Sequence, residues 1–356
     1  HDDQDNALDR VLNQRIHLER DDDLIDYVVR KSTEQHADHA PAATVSCVPN
    51  HPELVSSKTA ARVNASIREL NYSSVVGQYN SAEFEGGAGL IMLDNPFYSE
   101  IVHGIRVAAR SAGFDVLVSW DVPTASAVND YCAMLRRCNA SGIITLSPLE
   151  AETIERIDST IPLVQCCEVN PEVDVPFVTI DDFAAARIAV EHLVSCGCSR
   201  LAIVSGPDTY KYARGRMDGF LSVAKAHGID IEDGWIVRVP DNSYGLAHSA
   251  VCHMLESANA PDGVFACSDT YGAAVISAAR RAGLTVPGDL MVVGFDNTDN
   301  AIMTTPTLTT VNQPRYRMGY TACNILLERM KGAAAPQSMT METELVVRES
   351  TTRSRA

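Results

Sequence analysis

Short apolar runs alternate along most of the chain with segments whose apolar positions recur every three or four residues. The runs are bounded by turn-forming residues and predict buried strands, whereas the helical spacing predicts amphipathic helices between them. This alternation is typical of parallel sheets in an α/β fold. The predicted strands are GLIML, DVLVSW, GIITL, IPLVQCC, FVTI, RLAIVSG, WIVRV and, near the end, ELVVRES.

The predicted helices fall between these strands and complete two α/β halves of similar rhythm. Two such halves that face each other form a clamshell, with a cleft at the ends of the strands. The helices are predicted at Phe97 to Ser111, near Tyr131, from Leu149, at Phe183 to Ser195, Tyr212 to His227 and Tyr244 to Ser257, and from about Arg315.

One unit of this pattern carries an acidic residue after each of its two strands. A strand at Gly263 to Cys267 and a strand at Leu290 to Phe295 flank a helix at Ala273 to Ala282. Asp269 and Asp296 follow the first and the second strand. Because open α/β sheets bind ligands beyond the carboxyl ends of their strands, we expect both residues at the ligand cleft.

The composition of the first part of the chain differs from that of the core. Its start is acidic, a helical module follows, and a polar, glycine-rich linker precedes the first strand. The expected segments are an acidic tail at 1–23, the helical module at 24–72, the linker at 73–86, the core at 87–350 and a tail at 351–356. Within the core, one half is expected at about 87–197 and 314–340, and the other at about 198–311 and 341–350.

Charge and composition narrow the class of protein. The chain has 356 residues, 46% of them hydrophobic, and an acidic start where a secretory signal would be basic and then apolar, so we expect a cytoplasmic protein. A net charge of −17 opposes nonspecific nucleic-acid binding by the whole chain but is compatible with a small DNA-reading module. The ten cysteines lie mostly in apolar runs and fit reduced thiols, so no metal and no cofactor are expected.

Enzymatic motifs are absent from the sequence. The first strand precedes no phosphate-binding glycine loop, and neither a nucleophile elbow nor a paired acid and base occurs at a recognisable spacing. We therefore expect no catalytic residues and no enzyme. A secreted solute-binding protein would share the clamshell, but the acidic start and the many cysteines argue against export.

Many separate motifs together resemble the lactose-repressor (LacI/GalR) family of bacterial transcription regulators. The resemblance covers about residues 42–350 and implies two Rossmann-like subdomains of the type I periplasmic-binding-protein fold, joined by three crossovers and preceded by a helix-turn-helix module. It also implies a homodimer through the core, operator DNA as a partner and a small effector between the subdomains. The matching motifs are ATVS, LVSSKTAARVNASIRELNY, DNPFYSEIVHGIRVAARSAGFDVLV, SGIITLSP, VTIDDFAAARIAVEHLVSCGCSRLAIVSGP, ARGRMDGF, PDGVFACSDTYGAAVISAARRAGLTVPGDLMVVGFDN, LTTVNQP and ELVVRES.

By this resemblance, the effector contacts would be Asn95, Phe97, Tyr98, Asp182, Arg216, Asp269 and Asp296. Arg216 presents a planar fork of donors suited to paired hydroxyls, and we prefer it to Arg214, although an arginine on a solvated helix face is the alternative. Asp296 could instead be a turn residue that bonds its own backbone. Asp269 could equally cap the helix that begins near Tyr271.

The aromatic pair and the acidic contacts restrict the chemical class of the effector. Phe97 and Tyr98 could stack on a pyranose or a base, although one ring could pack between the halves instead. Ser268 and Asp182 stand where the family often has asparagine, which alters the pattern of donors and acceptors. Because acids outnumber bases among the expected contacts, a neutral sugar or polyol fits better than a multiply charged phosphate.

The DNA-reading end departs from the family pattern. Cys47 replaces an arginine, Pro49 interrupts the recognition helix, and residues 73–81 lack the basic residue and the leucine wedge of the hinge. Two hypotheses follow: a sugar-responsive transcriptional regulator, which we prefer, and a sugar-binding sensor that has lost operator binding. The expected DNA contacts are Thr44, Ser46, Asn50, Lys58 and Arg62.

Overall fold

The structure, a computed structural model, describes residues 88–89, 96–119, 123–257, 259–332 and 337–352. All of them belong to one compact unit, Glu83–Ala356. The predicted DNA-reading module and its contact residues, most of the linker and Asn95 lie outside the described residues.

Except for the short helix α8, which was not predicted, the helices of the described residues fall where the helical spacing predicts them. Their bounds differ from the predictions mostly by a few residues at the ends. The helices are α1 Phe97–Ser111, α2 Val128–Arg137, α3 Ala151–Asp158, α4 Asp182–Ser195, α5 Lys211–Ala226, α6 Tyr244–Leu255, α7 Asp269–Arg281, α8 Asn300–Met303 and α9 Arg315–Met330. Within these residues, no helix combines the length and the apolar character that crossing a lipid bilayer requires.

The strands form two larger sheets and one short pair. The strands are β1 Ala88–Gly89, β2 Asp115–Val116, β3 Ile143–Thr145, β4 Leu163–Cys166, β5 Phe177–Ile180, β6 Leu201–Ser205, β7 Ile236–Arg238, β8 Gly263–Ala266, β9 Met291–Asp296, β10 Thr309–Asn312, β11 Met339–Met341 and β12 Glu344–Val346. The order is β12-β10-β9-β8-β6-β7 in a six-stranded sheet and β11-β5-β4-β3 in a four-stranded sheet, while β1 pairs with β2. Neighbours are parallel except β10 and β12.

Burial on both faces explains why the central strands are continuous apolar runs. Every residue of β6, β8 and β9 is buried, as expected for parallel strands covered by helices on both sides. The α/β fold expected from the sequence is confirmed. Two strands, β10 and β11, were not among the predicted ones. In β10 the buried residues Thr309 and Thr310 are polar, so an apolar run is missing at that position.

The chain passes between the two larger sheets three times, after β5, after β10 and after β11. Helix α4 follows β5 of the four-stranded sheet but packs against α5 and the six-stranded sheet. This packing favours a limit between the halves after Ile180 rather than at about residue 197. Helices α1 and α9 pack against each other, and α9 also packs on the four-stranded sheet.

Candidate functional site

A cleft with both polar and apolar walls lies where the carboxyl ends of strands from both larger sheets meet. It encloses about 490 Å³, part of which is open to solvent. Five of the residues predicted from the sequence line it together, from α1, α4, α5 and the end of β9. The lining residues are Phe97, Tyr98, Cys167, Glu168, Ile180, Asp182, Tyr212, Arg216, Asn242, Cys267, Ser268, Asp296 and Gln313.

Close packing of α4 on α5 brings two of these side chains together. The helices approach through glycines of α5: a Cβ at Gly215 would lie 2.9 Å from Cβ of Asp182, and one at Gly219 would lie 2.6 Å from the carbonyl oxygen of Phe183. Larger residues at these positions would push the helices apart. The glycines of ARGRMDGF therefore allow Arg216 of α5 to reach Asp182 at the start of α4.

Arg216 is the centre of a buried charge network. Its side chain is 5% exposed, and Nε donates to Oδ1 of Asp182 at 3.0 Å. Nη1 donates to the carbonyl oxygen of Cys267 at 2.7 Å and lies 3.6 Å from Oδ1 of Asp296. Although burial lowers the pKa of Arg216, the carboxylates of Asp182 and Asp296 outweigh that effect and raise it above its ordinary value. Arg216 is thus a fixed cation.

Aromatic rings hold the guanidinium of Arg216 in place. Its Cζ lies 3.5 Å from the ring centroid of Phe295 and 4.8 Å from that of Tyr212. Cations over aromatic faces are stabilised electrostatically, more strongly where water is excluded. Arg214, the alternative candidate, is exposed, and its guanidinium donates to the carbonyl oxygen of Asp208. The structure thus separates the two arginines, and only Arg216 lines the cleft.

Asp182 joins this network to a second cation. Its Oδ2 accepts from Nζ of Lys211 at 2.7 Å, and Lys211 also donates to Oγ1 of Thr179 at 3.0 Å. The neighbouring Asp181 caps α4 by accepting from the backbone N–H of Ala184 at 2.9 Å. Because both carboxylate oxygens of Asp182 already have charged partners, this residue holds Arg216 and Lys211 in position.

Asp296 ends β9 in an unusual backbone conformation. Its φ of 107° lies in the left-handed region that non-glycine residues rarely adopt, and Asn297 follows with φ of 53°. Oδ1 accepts from Nε2 of Gln313 at 2.8 Å, a side-chain donor where the turn alternative requires a donor from the local backbone. Burial raises the pKa of Asp296 to about 7 against the opposing effect of Arg216. A strained backbone at a cleft is frequent at functional sites.

Asp269 lies outside the lining of the cleft. Its carboxylate is 1% exposed; Oδ2 accepts from the N–H and Oγ1 of Thr298 at 2.6 and 3.0 Å, and Oδ1 accepts from Oγ1 of Thr310 at 2.5 Å. The cap of α7 is Ser268, whose Oγ accepts from the N–H of Tyr271. Asp269 therefore neither caps the helix nor faces the cleft. It ties the loop after β9 and strand β10 to the start of α7.

Phe97 and Tyr98 form an aromatic pair at the start of α1. Their ring centroids are 5.2 Å apart in a T-shaped arrangement, and Phe97 is 8% exposed. Burial, followed by the nearby Cys167 and Glu168, raises the pKa of Tyr98 well above its ordinary value, so its hydroxyl stays protonated. Both rings line the cleft, and their helix α1 packs against α9, which in turn packs on the four-stranded sheet.

Several lining residues were not predicted from the sequence. Glu168 follows the apolar run of β4 and Gln313 follows β10, so the position of ligands beyond strand ends could have indicated both. Tyr212 precedes Arg216 by four residues on α5 and therefore shares its helix face. Asn242 lies before α6, and no sequence pattern singles it out.

The comparisons with known proteins agree with the fold of this chain. A periplasmic binding protein-like domain matches residues 190–351. The chain is 32% identical over 316 residues to the HTH-type transcriptional repressor CytR of Escherichia coli, which covers 87% of this chain and 92% of that protein. It is also 32% identical over 314 residues to the Ribose operon repressor of Halalkalibacterium halodurans, which covers 87% and 93%. In structure, it resembles a complex of the transcriptional regulator CelR with cellobiose, with 26% identity, a TM-score of 0.67 and coverage of 92% of this chain and 99% of that one.

Proposed function

Because this chain belongs to the LacI family of transcriptional regulators, which includes repressors such as CytR and is not a family of enzymes, we propose that it binds operator DNA under the control of a small effector. The effector binds in the cleft and is a neutral sugar or sugar derivative. In this proposal the protein acts in the cytoplasm as a homodimer through its core, with Thr44, Ser46, Asn50, Lys58 and Arg62 as DNA contacts.

The single observation that carries the choice of effector is the position of Arg216 and Asp296 among aromatic side chains in one cleft. Arg216 supplies donors, and Oδ2 of Asp296, to which no described residue donates a hydrogen bond, supplies an acceptor for hydroxyl groups. The rings of Phe97, Tyr98 and Tyr212 offer apolar faces for the carbon skeleton of a sugar. Asp269 has a positioning role in this proposal.

Two connections between the halves carry residues of the site. Asp182 follows the crossing after β5 and bonds Arg216, while Gln313 follows β10 at the next crossing and bonds Asp296. An effector that prefers one arrangement of these residues would shift the relative orientation of the halves. That shift is the route by which effector binding would alter the spacing of two DNA-reading modules in a dimer.

The second candidate is a sensor that binds the same effector but no operator. The departures at Cys47 and Pro49 and in residues 73–81 motivate it. An electrophoretic shift at low salt, with DNA from upstream of the protein's own gene, separates the two candidates. A retarded band that responds to the effector supports the regulator; no shift in the presence or absence of sugars contradicts it.

The effector itself is best found by a thermal-shift screen with the full chain. A ligand that binds only the folded protein raises its melting temperature. D-Ribose is the first candidate because of the similarity to the Ribose operon repressor, followed by hexoses, disaccharides and nucleosides. If none of the neutral sugars or nucleosides raises the melting temperature, the proposed class of effector is wrong.

A further inference from the structure

A carboxylate of the protein itself occupies the N-terminus of α5 at the edge of the cleft. Glu168 follows β4 of the four-stranded sheet, yet Oε2 accepts from the backbone N–H of Lys211 at 2.6 Å and Oε1 accepts from that of Tyr212 at 3.3 Å. The side chain is buried at 4% exposure and lines the cleft. Backbone donors at the start of a 16-residue helix attract anions, so Glu168 fills the position that a phosphate or carboxylate of a ligand would need.

The ammonium group of Lys211, a residue at the same helix start, also has partners within the protein. Nζ of Lys211 donates to Asp182 at 2.7 Å, to Thr179 at 3.0 Å and to the carbonyl oxygen of Ile180 at 3.2 Å. Burial raises the pKa of Glu168 above its ordinary value, and the N–H donors of Lys211 and Tyr212 oppose that rise without cancelling it. The anion-binding elements of the cleft therefore have internal partners before any ligand arrives.

We propose that Glu168 is a specificity-determining residue that excludes anionic effectors, sugar phosphates in particular, from the cleft. This inference rests on the proposed function, because it concerns the effector of the same site. A phosphorylated ligand would have to displace a tethered carboxylate from two donors, and it would leave that carboxylate buried without them. Exclusion by an internal competitor is a form of selection against the wrong ligand.

The test removes the carboxylate and asks whether phosphate takes its place. In Glu168→Ala the two N–H donors and the vacated space are available, so the affinity for D-ribose 5-phosphate is expected to rise at least about tenfold over the wild type, which is 1.4 kcal/mol. Inorganic phosphate tenfold above its dissociation constant is expected to raise the melting temperature of this variant by about 3 °C. Calorimetry measures the first quantity, and thermal unfolding the second.

Two further variants separate charge from space. Glu168→Gln keeps the volume and one acceptor but loses the charge, so its gain in phosphate affinity is expected to be smaller than that of Glu168→Ala. Glu172→Gln removes the same charge from an exposed position in the same loop and is expected to behave as the wild type. Potassium chloride at matched ionic strength controls for general salt effects.

The outcomes decide the role of Glu168 separately from the proposed effector. A higher affinity for phosphate in Glu168→Ala than in the wild type and in Glu172→Gln supports the inference. Equal phosphate affinity in all the proteins, or wild-type binding of ribose 5-phosphate as tight as that of ribose, overturns it. Failure of ribose and of all other neutral sugars and nucleosides to bind contradicts the proposed effector class, whereas the response to inorganic phosphate still decides whether Glu168 excludes anions.

Discussion

The neighbouring strands β8 and β9 both lead into an aspartate, but the two side chains have different surroundings. Asp269, at the start of α7 after β8, accepts three hydrogen bonds from Thr298 and Thr310 and does not reach the cleft. Asp296, at the end of β9, lines the cleft beside Arg216. A position beyond a strand end therefore does not by itself determine whether a carboxylate faces the cleft. The hydrogen-bond donors around the carboxylate determine its orientation.

Local backbone geometry explains the difference between the two ends. Ser268 caps α7, so Asp269 already belongs to the helix, and its side chain reaches the loop that follows β9. Asp296 adopts a left-handed φ of 107°. On the opposite side of the cleft, Cys167 also has a positive φ, 71°, at the end of β4. Strained residues thus line the cleft from both sheets.

The features of this fold that depend on local pattern could be predicted from the sequence. Continuous apolar runs indicate β6, β8 and β9 because both faces of these strands are buried. Strand β10 was not predicted, since Thr309 and Thr310 are buried polar residues whose hydroxyl groups bond partners distant in the chain, including Asp269 and Thr351. Such long-range partners leave no periodic signal.

The candidate site shows the same limit. Arg216 and Asp296 were predicted from their positions in recognisable motifs, and they lie at the cleft as a pair. The sequence left Asp269 open between a ligand contact and a helix cap, and its bonds to Thr298 and Thr310 could not be foreseen. Glu168 was missed because its partners are backbone N–H groups of α5, more than forty residues away in the chain.

Replacing Arg216, which lies beside Asp296 at the end of β9, is expected to have the largest effect. Arg216→Ala leaves Asp182 and Asp296 buried with one cation fewer, so we expect a loss of about 3–5 kcal/mol in the free energy of unfolding. Effector binding is expected to be lost as well. Denaturant unfolding measures the first effect and calorimetry at a temperature where the variant is folded measures the second.

Arg214→Ala is the matched control for this variant. Arg214 lies on the same helix but is exposed, so its removal is expected to change neither stability nor affinity beyond the range of ordinary surface substitutions. Unchanged effector affinity in folded Arg216→Ala would remove Arg216 from the site. The two strand ends would then no longer differ in their role in effector binding.

Replacing Asp269, which follows β8, tests whether this aspartate stabilises the fold without contacting the effector. Asp269→Ala leaves the N–H and hydroxyl of Thr298 and the hydroxyl of Thr310 without their acceptor, and we expect the free energy of unfolding to fall by about 2–3 kcal/mol. Effector affinity is expected to stay within about twofold of the wild type, since the side chain does not line the cleft.

Asp289→Ala is the control for this variant. Asp289 also accepts from the N–H and hydroxyl of one threonine, Thr285, but it is exposed, so its replacement is expected to lower the free energy of unfolding much less. A large loss of effector affinity in folded Asp269→Ala would place both strand ends in the site.

The smallest expected effect is that of Asp296→Asn, which tests whether Asp296 accepts hydrogen bonds from hydroxyl groups of the effector. Asp296→Asn retains the oxygen that faces Gln313 but turns the other carboxylate oxygen into a donor, so effector affinity is expected to fall about tenfold at pH 8, which is 1.4 kcal/mol. Because burial raises the pKa of Asp296 to about 7, the wild-type carboxylate is ionised above that pH and protonated below it. Wild-type affinity is therefore expected to decrease from pH 8 to pH 6, whereas the affinity of Asp296→Asn stays level. Calorimetry across this range measures both curves; if Asp296→Asn binds the effector as tightly as the wild type at both ends of the range, Asp296, like Asp269, only supports the fold.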